Sequence, residues 1–258
     1  MRHLRSLPLF LLATLLVSCA TQQPQTGFQL GQTGRIYARP KAVPTPSAIT
    51  GLQRLNLGRE RDGLLYVPAR TQSPAPLIVM LHGSRDSGEV IMTKIRPLAD
   101  RIGAIVLAPD ARDYTWDIAR GPVDETALDR FGEDVKFIDA AMARTFERYP
   151  IDRKRIAIGG FSDGGSYALS LGLMNGDLFT HVVAFSPGFM RLRSTAGHPH
   201  VFLAHGTSDD VLPIDKSRFL ARALDDAGYD LEYVEFEGEH VVMDPIAARA
   251  FTDWFVAG

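Results

Sequence analysis

The chain is 258 residues long, 45% of them hydrophobic and 22% charged, with a formal net charge of −2 at pH 7. This balance gives no reason to expect a nucleic-acid partner, because no basic cluster or basic run interleaved with aromatic residues is present. The chain has one cysteine, Cys19, which excludes intramolecular disulfides from the fold.

Residues 1–18 are predicted to form a signal peptide. A basic start precedes an apolar run at residues 7–17, which suits a signal peptide and is short for a membrane span. The run ends in Leu16-Val17-Ser18-Cys19, which resembles the bacterial lipobox. The resemblance implies lipidation of Cys19 and, because Ala20 follows rather than aspartate, a lipoprotein of the outer membrane facing the periplasm. A soluble secreted or periplasmic protein is the alternative.

Residues 19–58 are predicted to form the lipidated N-terminus and a flexible tether. They are rich in glutamine and proline and have too few apolar residues for a core. Three basic residues, Arg35, Arg39 and Lys41, could contact anionic headgroups, although solvated linker charges explain them as well. The remaining residues, 59–258, suit one α/β domain.

Apolar strands alternate with helical patterns along that domain. Strands are predicted near residues 64–67, 77–81, 104–108, 155–159, 182–185, 201–204 and 231–236. Helices are predicted near residues 89–101, 131–148, 165–173, 216–227 and 245–255. The alternation predicts an α/β fold with a mostly parallel central sheet, helices on both faces and no large cap domain.

Two connections after strands are candidates for the substrate pocket. Residues 109–130 form the longest connection and are expected to be a small lid or a pocket wall that includes Trp116; a packed surface loop is the alternative. Phe189 and Met190 follow the strand near residues 182–185, and their apolar side chains could line the same pocket.

A nucleophile elbow is the strongest motif. An apolar strand runs into Gly160-Phe161-Ser162-Asp163-Gly164, and a helical pattern follows, which is the strand-turn-helix context that the G-x-S-x-G motif requires. The glycines leave room for a strained serine, so we expect Ser162 to be the nucleophile. The backbone N–H of Asp163 and that of Ser84, after the His82-Gly83 turn, are expected to form the oxyanion hole.

The acid and base are expected after Ser162, in the order acid and then histidine. Asp209 follows the strand near residues 201–204 and is preferred over its neighbour Asp210 as the acid. His240 follows the last strand and is the expected general base. His205 precedes the acid, so we interpret it as a structural histidine.

These motifs resemble the phospholipase/carboxylesterase-like serine esterases of the α/β-hydrolase superfamily. The resemblance rests on Leu81-His82-Gly83, on residues 160–165 and on residues 205–213 with Asp209 as the acid. Two residues depart from the pattern: Ser84 replaces a common bulkier apolar residue, and Asp163 replaces a common glutamine. A carboxylate at Asp163 would disfavour an oxyanion unless it points away or is paired, with Arg85 or Arg112 as possible partners.

The expected function is therefore hydrolysis of carboxylic esters, with short- to medium-chain acyl groups, by a Ser-Asp-His triad and an acyl-enzyme. No cofactor is needed, and no metal-ligand spacing is present. The expected partners are a small-molecule ester and the membrane that holds the lipid anchor; the oligomeric state stays open. Alternatives on the same triad are a peptidase, a thioesterase and an acetyl or feruloyl esterase of polysaccharides. An inactive, envelope-anchored binding protein is the alternative outside enzymes.

Overall fold

The computed structural model describes residues 32–43, 45–58, 60–121 and 130–255. The predicted signal peptide and Cys19 lie outside these residues, as do residues 122–129 of the predicted lid. In the described part, no helix is both long enough and apolar enough to cross a bilayer.

Eight strands are present in the described residues. They are β1 (Gly51–Arg54), β2 (Gly63–Val67), β3 (Ala75–Leu81), β4 (Ile105–Pro109), β5 (Ile151–Phe161), β6 (His181–Phe185), β7 (His200–Gly206) and β8 (Leu231–Phe236). They form one sheet in the order β1-β2-β4-β3-β5-β6-β7-β8. β2 is antiparallel to β1 and β4, and the other pairs are parallel.

Helices cover both faces of this sheet. They are α1 (Gly88–Ile102), α2 (Glu133–Arg148), α3 (Asp163–Met174), α4 (Asp215–Asp226) and α5 (Asp244–Ala248), which continues into a π-helical segment, Arg249–Trp254. One hydrophobic core lies under α2, α3 and α4, and a second lies under α1 and the C-terminal helix. The predicted α/β-hydrolase architecture, a mostly parallel sheet with helices on both faces, is confirmed.

Local sequence explains the central strands and the ends of α1. Every residue of β3 is buried, as a continuous apolar run in the middle of a parallel sheet requires. The side chain of Ser87 caps α1 by accepting a hydrogen bond from the Val90 amide, and Gly103 ends the helix with a left-handed φ of 67°. Strands and helices in this arrangement bring the loops after β3, β5, β7 and β8 to one edge of the sheet.

The prediction of a flexible tether up to residue 58 is wrong for its described part. Residues 32–43, here called the N-terminal strap, lie against the domain, and Ile36 is fully buried in the core under α2, α3 and α4. The Asn175 side chain accepts from the Ile36 amide at 2.8 Å and donates to the Gly34 carbonyl at 2.9 Å. The Asp139 carboxylate accepts from the amides of Tyr37 and Ala38, both at 2.7 Å.

The basic residues of the predicted tether have protein partners. Arg35 and Arg39 both form ion pairs with Asp177, at 2.9 and 2.7 Å, and Lys41 lies 3.2 Å from Glu147. β1 also falls inside the predicted tether and forms the edge of the sheet. The N-terminal strap has no periodic apolar pattern, because local structure does not hold it. Its partners are side chains more than 100 positions away along the chain.

Candidate active site

Ser162 stands on a strained turn between β5 and α3. Its φ of 57° and ψ of −121° are a conformation that non-glycine residues adopt only when the surroundings impose it. A Cβ atom on Gly160 would lie 2.2 Å from the Gly164 carbonyl oxygen, and one on Gly164 would lie 2.3 Å from the His82 carbonyl oxygen. Only glycine fits at both positions, because the turn packs closely against the end of β3.

Asp209 and His240 meet although 31 residues separate them in sequence. Nδ1 of His240 donates to Oδ2 of Asp209 at 2.6 Å. Because an ionised carboxylate can only accept, this bond places the proton on Nδ1 and leaves Nε2 free of a proton, as a general base requires. The imidazole ring packs against Phe161, the residue before Ser162, with ring centroids 4.7 Å apart.

The carboxylate of Asp209 is held at both oxygens. Oδ1 accepts from the backbone amides of Val211 at 3.0 Å and Leu212 at 2.8 Å. Burial raises the pKa of this carboxyl, but the hydrogen bonds from His240 and from the two amides outweigh burial, so the pKa lies below its usual value. The neighbouring Asp210 is exposed. The structure thus directs Asp209, not Asp210, at the histidine.

The turn after β3 lies next to Ser162. A Cβ atom on Gly83 would be 3.6 Å from the Ser162 Cβ, so the turn that carries Ser84 lies beside Ser162, and Asp163 begins α3 directly after it. The ring of His82 shapes this turn: it is fully buried, Nδ1 donates to the Gly83 carbonyl at 2.7 Å, and Nε2 accepts from the Ala111 amide at 3.0 Å. Burial lowers the pKa of His82, which keeps the ring neutral.

The Asp163 carboxylate has a partner that the sequence did not indicate. Thr115 donates its hydroxyl to Oδ2 of Asp163 at 2.7 Å, whereas Arg85 and Arg112 were the expected partners. Arg112 instead stacks over the Phe137 ring and donates to the Asp110 carbonyl. A hydroxyl donor orients the carboxylate without neutralising it.

Contrary to expectation, Trp116 is not among the residues that line the cavities of the described part of the chain. It is fully buried, its ring stacks on that of Tyr167 at 5.2 Å, and its indole N–H donates to the His82 carbonyl at 2.8 Å. A tryptophan in a long polar connection suggested a substrate wall. In the fold its large apolar ring is drawn into the core, where its polar N–H finds a carbonyl.

Two buried carboxylates pin the described part of the predicted lid. Asp134 accepts from the Arg112 amide at 2.5 Å and from the Asp117 amide at 2.6 Å. Asp117 accepts from the Gly132 amide at 2.9 Å. Burial and the neighbouring carboxylate of Asp134 raise the pKa of Asp117 to about 7.

A cavity of about 620 Å³ opens next to Asp163, the residue that follows Ser162. Phe189 and Met190 lie in its wall, as does Asp163. The other lining residues are Ala119, Gly188, Arg191, Leu212, Asp215, Lys216, Phe219 and Leu220. Its size falls within the range of small-molecule sites in proteins, about 300–1,000 Å³.

Hydroxyl groups of α3 hold one wall of this cavity. Ser166 accepts from the amides of Gly188 at 2.9 Å and Phe189 at 3.4 Å, and Ser170 accepts from the Arg191 amide at 3.0 Å. These serines, Thr115 and Phe219 were missed in the sequence. The only available signal was the i, i+4 spacing of two serines on an otherwise apolar helix.

No group of three or more His, Cys, Asp or Glu side chains suited to a metal ion occurs in the parts of the chain that the structure describes.

Solved structures share this fold. The ferulic acid esterase of the anaerobic fungus Anaeromyces mucronatus aligns with a TM-score of 0.63 and 18% identity, covering 89% of this chain and 98% of that one. The carboxylesterase of Bacillus cereus aligns with a TM-score of 0.58 and 20% identity, covering 75% and 92%.

Relatives at the sequence level are named as esterases. A feruloyl esterase C of Emericella nidulans is 34% identical over 189 residues, which is 68% of this chain and 64% of the relative. A bifunctional acetylxylan esterase/xylanase of Neocallimastix patriciarum is 27% identical over 164 residues, covering 60% of this chain and 22% of the relative. The chain thus spans less than two thirds of the length of these relatives.

The family model described as Phospholipase/Carboxylesterase matches residues 114–245, about half of the chain. The match begins in the loop that carries Thr115 and runs through the elbow of Ser162, the acid loop of Asp209 and the loop of His240. The chain belongs to the phospholipase/carboxylesterase family of α/β-hydrolases.

Proposed function

We propose that this protein is a serine hydrolase that cleaves carboxylic esters through an acyl-enzyme at Ser162. One observation carries the proposal: the 2.6 Å hydrogen bond between Asp209 and His240, whose ring lies against the residue that precedes a strained serine. A buried acid, an oriented imidazole and a serine on an elbow are the parts that nucleophilic acyl transfer requires.

The proposed mechanism assigns one role to each of these groups. Nε2 of His240 takes the proton of the Ser162 hydroxyl as the oxygen attacks the ester carbonyl, and Asp209 stabilises the imidazolium that forms. The amides of Ser84 and Asp163 stabilise the negative oxygen of the tetrahedral intermediate. His240 then protonates the leaving alcohol. Water, activated by the same imidazole, cleaves the acyl-enzyme and releases the carboxylic acid.

The cavity supports short- to medium-chain acyl esters and favours one finer candidate. Its volume of about 620 Å³ and its aromatic residues Phe189 and Phe219 suit a group larger than acetyl. An ester of a hydroxycinnamic acid such as ferulic acid combines an aromatic ring with that size, and two relatives are named feruloyl esterases. Acetyl esters of polysaccharides, thioesters and peptides differ only in the acyl or leaving group and remain alternatives.

We further propose that lipidated Cys19 anchors the enzyme in the outer membrane, facing the periplasm. The support is the lipobox-like Leu16-Val17-Ser18-Cys19 after a basic start and an apolar run. Metabolic labelling with a fatty-acid probe tests this: the wild-type chain should incorporate the probe and fractionate with membranes, and Cys19→Ala should do neither. Unlabelled wild-type protein in the soluble fraction would favour a secreted or periplasmic enzyme.

The activity test uses a chain from residue 32 onwards, so that the strap stays in place. Hydrolysis of p-nitrophenyl acetate, butyrate and octanoate and of methyl ferulate is measured, together with labelling by a fluorophosphonate and mass spectrometry of the labelled peptide. Turnover that is lost on labelling of Ser162, and that is absent in Ser162→Ala, is the expected result. A folded wild-type protein with neither turnover nor label would support the inactive binding protein instead.

A further inference from the structure

His205 contacts the candidate catalytic acid, although its place before Asp209 suggested a purely structural histidine. It lies in β7, one residue from the end of the strand, and is fully buried. Its Nε2 lies 3.0 Å from Oδ2 of Asp209, and both side chains are inaccessible to solvent. Oδ2 is the same oxygen that accepts from His240.

The tautomer of His205 follows from its second neighbour. Nε2 lies 2.8 Å from the carbonyl oxygen of Leu212, which can only accept a hydrogen bond. The ring proton must therefore be on Nε2, where it faces the Leu212 carbonyl and lies close to the Asp209 carboxylate. An Nε2 without a proton would put three electron-rich atoms together in a buried site.

Leu212 closes a ring of contacts around the acid. Its amide donates to Oδ1 of Asp209 at 2.8 Å, while its carbonyl faces His205. The His205 imidazole thus contacts the loop after β7 at two points. One is the Leu212 carbonyl, and the other is the Asp209 carboxylate, three residues earlier in the chain. With the Val211 amide on Oδ1, the carboxylate is contacted from four directions and has little freedom to rotate.

The surroundings of the other ring nitrogen, Nδ1, indicate that the contacts of Nε2 are what favours a histidine at this position. Among the described residues nothing hydrogen-bonds to Nδ1 of His205, which is buried. Burying a polar atom without a partner costs free energy, so the position is a poor one for a histidine unless Nε2 contributes in return. Across the sheet, His205 is in register with Glu235 of β8, which is bound to Arg218 at 2.7 Å.

We propose that His205 is a positioning residue for the triad: its Nε2–H holds Asp209 and the Leu212 loop so that Oδ2 faces His240. This inference rests on the proposed function, because it assigns a role relative to Asp209 as the acid. His205 does not touch the substrate or the reacting atoms.

The test compares His205→Phe, which removes the donor while keeping a ring, with His205→Gln, whose amide N–H can reach the place of Nε2–H. For His205→Phe we expect kcat to fall about 10- to 100-fold with KM nearly unchanged, since a small misplacement of a catalytic group can cost on the order of 100-fold. His205→Gln should recover most of that loss.

A second readout separates positioning from mere packing. A less well held carboxylate stabilises the imidazolium of His240 less, so the acidic limb of kcat/KM should move to lower pH in His205→Phe and return in His205→Gln. A matched control is His181→Phe, which alters a buried histidine at the first residue of β6. This residue lies at the amino-terminal ends of the parallel strands, away from the loops that carry the candidate site. The control should lower thermal stability without moving the pH profile.

The outcomes are distinct. Wild-type protein without turnover or Ser162 labelling would overturn the proposed function. Active wild-type protein, with a folded His205→Phe whose kcat and pH profile are unchanged, would overturn the role of His205 alone. If His205→Phe does not fold, His205→Gln and His205→Asn still decide: the longer amide should retain kcat, the shorter one should lose it, and equal kcat in the two would contradict the proposal.

Discussion

Thr115 donates a 2.7 Å hydrogen bond to Oδ2 of Asp163, the residue that follows the nucleophile. The bond turns a carboxylate next to the candidate oxyanion hole into an oriented group. It also ties the loop after β4 to the first turn of α3, and that loop carries Trp116, whose indole N–H supports the His82-Gly83 turn.

Replacing Thr115 by valine should release the Asp163 carboxylate. It would then be free to turn towards the negative intermediate, so we expect kcat to fall on the order of tenfold; hydrogen bonds to charged groups contribute about 1.5–3 kcal/mol, and 1.36 kcal/mol is a factor of ten. Steady-state kinetics on p-nitrophenyl butyrate measures this. Thr115→Ser keeps the hydroxyl and should retain activity, and Thr115→Val/Asp163→Asn should recover part of it. An unchanged kcat in Thr115→Val would contradict this role.

A methyl group on Gly164 should disrupt the elbow. Its Cβ would lie 2.3 Å from the His82 carbonyl oxygen and 2.4 Å from that of Leu81, so β3 and α3 must separate. We expect Gly164→Ala to lose fluorophosphonate labelling and to unfold at a lower temperature. Gly228→Ala is the control, because its Cβ would meet open space and would cost only the left-handed φ of 77°, about 1–2 kcal/mol. Equal behaviour of the two variants would show that the close approach at Gly164 is unimportant.

Asp117 should make the protein less stable as pH rises from about 4 to about 7. Its pKa is raised from 3.8 to about 7 in the folded state, so in that window the folded state binds more protons than the unfolded state. Stability therefore falls with rising pH and levels off above the raised pKa.

The variant Asp117→Asn cannot ionise. Its free energy of unfolding should therefore exceed that of wild type at alkaline pH, where wild type keeps a buried, poorly satisfied carboxylate. We expect a difference of about 1–3 kcal/mol. Urea unfolding over this pH range measures it. Asp113→Asn, at an exposed carboxylate near the same loop, is the control and should leave the pH dependence unchanged. The same pH dependence in wild type and in Asp117→Asn would contradict the prediction.

Phe189 should select for large acyl groups. Ser166 holds its backbone at the cavity wall, so the ring has a defined place. Phe189→Ala should raise KM for methyl ferulate or the octanoate ester about tenfold, since one methylene or more of lost apolar contact costs about 1–3 kcal/mol. KM for p-nitrophenyl acetate should hardly change. Tyr37→Ala removes an exposed aromatic side chain of the strap and is the control. A uniform change across all esters would argue against an acyl pocket at Phe189.

The N-terminal strap should be required for a stable domain. A chain that begins at residue 59 loses β1 and Ile36, and it leaves the buried side chain of Asn175 without its strap partners. We expect it to unfold at a lower temperature than a chain that begins at residue 32, or to aggregate. Asn175→Ala in the longer chain should lower the free energy of unfolding by about 1–3 kcal/mol. If the shorter chain were as stable as the longer one, the prediction of a flexible tether up to residue 58 would stand.

The sequence alone predicted the parts of the molecule that local patterns encode. Apolar runs marked the six strands from β2 to β7, because a strand buried on both faces must be apolar. Alternation of apolar and charged residues marked β8, the half-buried strand at the edge of the sheet. The spacing of Gly160 and Gly164 around Ser162 marked the elbow, because a strained turn between packed elements tolerates no side chain there. Strand ends in a parallel sheet share one edge, which also selected Asp209 and His240 as partners for Ser162.

Only the tertiary structure decided which groups meet across long separations. The strap and β1 carry no periodic signal, since their burial depends on Asn175 and Asp139, more than 100 residues away. Trp116 entered the core rather than the pocket because its neighbours in space, His82 and Tyr167, are remote in sequence. Chain order alone suggested that His205 has no part in the site. In the fold its Nε2 lies 3.0 Å from the Asp209 carboxylate, because the loop after β7 turns back on the end of that strand.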